Sequence, residues 1–61
     1  MKDLYAIYFV WNDGFVDSFN CKNAKERDLN IRSMLSRREF KSIEYSRLLA
    51  SGEYGKRIKV L

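Results

Sequence analysis

Three patterns of apolar and polar positions follow one another along the chain. From Leu4 to Trp11 every side chain is apolar or aromatic. Strand side chains alternate, so Tyr5, Ile7, Phe9 and Trp11 share one face and Leu4, Ala6, Tyr8 and Val10 the other. The β-branched and aromatic content favours strand over helix, and burial on both faces places such a strand centrally in a sheet. Asn12-Asp13-Gly14 then marks a hairpin, since Asp-Gly suits the positive φ angles of a tight turn. With Asp13-Gly14 as a two-residue loop, Trp11 is expected opposite Val16, Phe9 opposite Ser18 and Tyr8 opposite Phe19. Val16 thereby joins the Tyr5–Trp11 face, and Phe15 and Phe19 join the other.

The second pattern has helical spacing. Asn23 is a candidate N-cap with Glu26 three residues on, and the helix is expected from Ala24 to about Arg38. Ala24, Ile31, Met34 and Leu35 form its apolar stripe, Asp28 and Arg32 stand at a pairing distance of four residues, and Leu29 points outward. From Phe40 to Ala50 alternation returns, with Ile43, Tyr45 and Leu49 inward together with Arg47, and Ser42, Glu44 and Ser46 on a wet face. Ser51 to Gly55 is a glycine-bearing turn, and Lys56 to Leu61 closes the chain with Ile58 and Val60 inward and Arg57 and Lys59 outward, where charge protects an edge strand. The expected fold is α+β: one domain over residues 1–61, ordered β-β-α-β-β, with a four-stranded antiparallel sheet and one helix packed on one face.

Composition sharpens this picture. A chain of 61 residues buries only ~60% of the surface its unfolded form exposes, so small domains depend on staples or partners. One cysteine, Cys21, permits no internal disulfide, and the absence of histidine leaves too few ligands for a structural zinc site, so no metal and no cofactor are expected. The eight-residue apolar run falls far short of the roughly 20 residues of a membrane helix, and no signal-peptide cleavage pattern follows it. The lone thiol fits a reducing compartment, so the chain reads as cytoplasmic, with no membrane partner. Twelve basic against eight acidic residues give a charge of +4, which allows a nucleic-acid partner without requiring one.

Catalysis is not expected. Without histidine there is no imidazole base, Cys21 has no partner base in sequence, and the carboxylates form no clear pair. Gly52-Glu53-Tyr54-Gly55-Lys56 resembles a phosphate- or RNA-clamping loop in outline, but Glu53 opposes phosphate and the loop joins strands, so it reads as a turn.

The remaining clue is surplus aromatic surface. Six of the nine aromatic residues lie between Leu4 and Phe19, and one helix covers one sheet face. The uncovered face is expected to be a partner-binding surface made of Tyr5, Ile7, Phe9, Trp11 and Val16, filled by a second copy or another protein; if the helix covers that face instead, the surface moves to Tyr8, Phe15 and Phe19. The alternative is a single-stranded nucleic-acid platform in which Tyr5, Phe9 and Trp11 stack bases beside Arg57 and Lys59.

In overall cast, the aromatic hairpin LYAIYFVWNDGFVDSF, the charged helix NAKERDLNIRSMLSRRE and the closing segment SIEYSRLLASGEYGKRIKVL together resemble the small accessory proteins of bacteriophages. That resemblance implies a protein that binds and redirects a host or defence factor. With the surplus apolar face, the expectation is a non-enzymatic regulator, dimeric in the simplest case, such as an inhibitor of that partner.

Overall fold

The computed structural model describes residues 3–61 and has the expected element order: β1 (Tyr5–Trp11), β2 (Val16–Cys21), α1 (Ala24–Arg37), β3 (Phe40–Arg47) and β4 (Ile58–Lys59). The strands form one antiparallel sheet in the order β2-β1-β3-β4, so β1 is flanked on both sides, as its two apolar faces require. The helix packs across β1, β2 and β3. Among the described residues no helix is long and apolar enough to cross a membrane.

The hairpin differs from the expected register by one residue. Trp11 N–H bonds Phe15 O at 2.8 Å, and Val10 faces Val16, Tyr8 faces Ser18 and Ile7 faces Phe19. The loop is therefore three residues, Asn12, Asp13 and Gly14. Gly14 takes the left-handed conformation that such loops need, at φ 94°, and the Asp13 carboxylate accepts the Phe15 N–H at 3.0 Å. One added loop residue turns every β2 side chain to the opposite face from that expected. Phe19 and Cys21 consequently lie on the Tyr5–Trp11 face, and Val16 lies on the other.

Asn23 caps the helix by accepting the Glu26 N–H at 2.8 Å, while Glu26 reaches back to the Lys22 N–H, one residue before the usual capping-box donor. The helix ends at Arg38, whose φ of 55° is left-handed in the manner of a C-terminal cap. Ile31 and Met34 are buried, but Ala24 and Leu35 are exposed, so the apolar stripe is narrower than its spacing suggested. Asp28 pairs with its neighbour Arg27 at 2.8 Å and not with Arg32, and Arg27 also stands over the rings of Tyr5 and Tyr45.

The core joins Ile7, Phe9, Cys21, Ile31, Met34, Phe40 and Ile43, with Tyr5, Trp11, Phe19 and Tyr45 packed against it. Edge-to-face contacts link Phe9 to Trp11, Phe19 and Phe40 at centroid distances of 5.7, 5.8 and 5.3 Å. β3 stops at Arg47, and Leu48 then bridges to Tyr54 across a turn in which Gly52 has φ 90°. Leu49, expected inward, is exposed beyond the strand end. Ile58 and Val60, also expected inward, are exposed because β4 is a two-residue outer strand that the helix does not reach.

Candidate partner-binding surface

The helix covers the face that the sequence reading left open. Tyr5, Ile7, Phe9 and Trp11 are core or core-flanking residues, with Ile7 wholly buried, so they do not form a partner-binding surface. Ile31 and Met34 seal the middle of this face, and two arginines extend the cover to its ends. The Arg27 guanidinium lies 4.6 Å from the ring centroids of both Tyr5 and Tyr45. The Arg37 guanidinium lies 5.7 Å from Trp11 and 5.6 Å from Phe40, and bonds Glu39 at 2.7 Å. Burial works against the Arg27 charge, but Asp28 and then Tyr45 and Tyr5 more than offset it and hold its pKa above the ordinary value. Arginine stems and planes thus finish a lid that leucines do not supply.

The opposite face is built from three rows, set by the strand register. Val16, Val10 and Ser42 form the row nearest the hairpin tip; Ser18, Tyr8, Glu44 and Lys59 the middle row; Asn20, Ala6 and Ser46 the last. Ser46 was expected on a wet face. It is fully buried instead, and its hydroxyl shares a 3.1 Å hydrogen bond with that of Tyr8. Arg57 lies across the Tyr8 ring at 3.8 Å from its centroid and 3.7 Å from the Glu44 carboxylate, and the Tyr54 hydroxyl donates to Asp3 O. The β1 and β3 members of the last two rows are therefore covered by the segment that follows β3, while Ser18 and Asn20 of β2 stay exposed. The row near the hairpin tip is not covered: Val16 is 68% exposed. Phe15, 63% exposed, stands opposite Trp11 and so lies at the tip on the helix side.

Arg57 and Lys59 lie on this second face, with the sheet between them and Tyr5, Phe9 and Trp11. The base-stacking constellation expected from sequence is thereby divided. Tyr8 is the one sheet aromatic beside these cations, and the Arg57 plane already occupies its ring.

Cys21 is fully buried, 3.8 Å from the Asn30 side-chain amide, and burial, with Glu26 nearby, raises its pKa. A thiol of this kind is a core group and a poor nucleophile. Asp17 is exposed and folds back onto its own strand, accepting the Ser18 N–H at 2.8 Å. At the hairpin tip Trp11, Asn12, Asp13 and Glu39 line an open depression of about 300 Å³. No cluster of three or more metal-ligating side chains occurs among the described residues.

No protein-family model matches this chain, and no curated protein or solved structure shows significant similarity to it.

Proposed function

We propose that this chain is a non-enzymatic protein-binding regulator that meets its partner at the hairpin-tip corner of the open sheet face. The observation that supports this reading is the exposure of Val16 beside Val10, in a sheet whose other face is consumed by the core, with Phe15, opposite Trp11, exposed at the same tip on the helix side. Apolar side chains grouped at an accessible corner lose water on docking, while the flanking Ser18, Ser42 and Lys59 supply a polar rim. The resemblance to phage accessory proteins adds the kind of partner, a host or defence protein held in an inhibited state.

The test compares affinity capture from host extract by the wild-type chain, Val16→Lys and Leu29→Ser. Leu29 lies exposed on the outer face of the helix and serves as the control. A protein retained by wild type and Leu29→Ser and lost with Val16→Lys supports the proposal. Equal retention by all three chains defeats it. Val16→Lys is expected to change folding stability by no more than ~0.5 kcal/mol, as is usual for exposed positions, which thermal unfolding checks.

A further inference from the structure

The two borders of the sheet are unlike. β4 offers two residues, flanked by Arg57 and paired at Lys59 with Glu44. β2 offers six residues, Val16–Cys21, with no proline and no lysine or arginine among them. Proline and basic side chains protect edge strands against pairing with other chains, and β2 has neither; its one charged residue is Asp17. The direction of its free groups follows from the ladder. The Trp11 N–H donates to Phe15 O, which sets the phase of the ladder, and antiparallel ladders alternate. Phe9 with Asp17, Ile7 with Phe19 and Tyr5 with Cys21 are then hydrogen-bonded pairs. The N–H and C=O groups of Val16, Ser18 and Asn20 point away from β1, toward the free border. The Ser18 N–H agrees with this geometry, since it is bonded by the Asp17 carboxylate and not by β1.

We propose that this border pairs with β2 of a second copy of the chain, antiparallel, about a two-fold axis through Ser18. The outward-facing residues are placed symmetrically about Ser18. This register sets Ser18 against Ser18 and Val16 of each copy against Asn20 of the other, and uses every outward group of the strand. Charge selects the same arrangement. The hairpin-tip end of the border carries Asp13, and the other end carries Lys22 and Lys25 with Glu26 held back against the Lys22 N–H, a net positive end; Asp13, Lys22 and Lys25 are exposed and without an ion-pair partner among the described residues. Antiparallel pairing lays the acidic end of one copy beside the basic end of the other, and an isologous interface repeats that match twice. Asp17 opposes the pairing, because its hold on the Ser18 N–H must be released. The dimer is accordingly weak and dependent on concentration. The two sheets become one of eight strands, with both helices on one side and both Val16 corners on the other.

Sedimentation equilibrium from micromolar to millimolar chain tests this. The wild type is expected to shift from monomer toward dimer across that range, more strongly at low salt than at high. Ser18→Pro removes an outward N–H while leaving the β1 ladder intact, as proline is tolerated on an edge strand, and is expected to stay monomeric with an unchanged circular dichroism spectrum. Lys22→Glu, outside the strand, is expected to weaken the dimer several-fold. A wild type that remains monomeric at millimolar concentration overturns the proposal, as does a dimer that Ser18→Pro leaves intact. Should Ser18→Pro fail to fold, a dimer indifferent to Lys22→Glu overturns it alone. These outcomes do not involve the captured protein, so they stand or fall separately from the partner-binding corner.

Discussion

The two faces of the sheet bury their residues by different means. On the helix side, aromatic and aliphatic side chains interlock, with Phe9 touching three other rings, and arginines close the margins. On the other side, burial is shallow and polar: Ser46 is hidden under Tyr8, and Arg57 in turn covers Tyr8. The first face holds the chain together by apolar contact. The second is tied down by a few directional contacts and left open at one corner. A domain this small can therefore carry both a core and an accessible surface on one sheet, because the second face does not need a helix of its own.

The contrast can be broken most sharply at Phe9. Phe9→Ala is expected to cost about 3–5 kcal/mol, comparable to the whole stability of a small domain, and to abolish the cooperative thermal transition. A folded Phe9→Ala chain with a melting temperature near wild type would place the core elsewhere. On the other face Tyr8→Phe removes one hydroxyl and leaves that of Ser46 buried without its side-chain partner, at an expected cost of about 1–2 kcal/mol in chemical denaturation. If that loss were no larger than the effect of Val16→Lys, the polar contacts of the open face would contribute nothing to folding.

Alkaline pH acts on the covered face through Cys21. Burial raises the thiol pKa in the folded chain, so above the ordinary thiol value the unfolded chain ionises first. This part of the stability is complete below that pH and falls as pH rises, by at most about 1.4 kcal/mol per pH unit for one proton. Denaturation midpoints of wild type and Cys21→Ala across pH 8 to 10 should diverge accordingly; parallel curves would mean that the thiol ionises in place. The smallest effect is expected at the margin of the lid. Arg27→Ala, which uncovers Tyr5 and Tyr45, should cost about 1 kcal/mol, and Arg27→Lys less. An effect below ~0.3 kcal/mol would show that the arginine stack is incidental to the cover.

The element order, the central place of β1, the Asn23 cap and the helix limits were legible in the sequence because each has a local signature. The assignment of faces was not. β1 is apolar on both sides, so its pattern carries no preference for the side on which the helix lands. A stripe of Ile31 and Met34 looks too thin to cover Tyr5, Phe9, Trp11 and Phe40, and the arginine stems that complete the cover count as polar in any apolar pattern. Ser46 likewise reads as a wet position until the chain after β3 folds back over it. The candidate contact residues followed the faces: of the five expected, Val16 alone is at the accessible corner, and its place there comes from a loop one residue longer than the Asp-Gly pair indicated.

That loop makes inside and outside a matter of parity. With Asn12, Asp13 and Gly14 between the strands, β2 sends Phe19 and Cys21 inward and Val16, Ser18 and Asn20 outward. An even-numbered loop in the same place would exchange those sets, putting serine and asparagine under the helix and phenylalanine in water. Neither the strands nor the helix would have to change a residue for the molecule to lose its core. The hairpin tip thus acts as a one-residue code for which half of β2 the protein keeps and which half it displays.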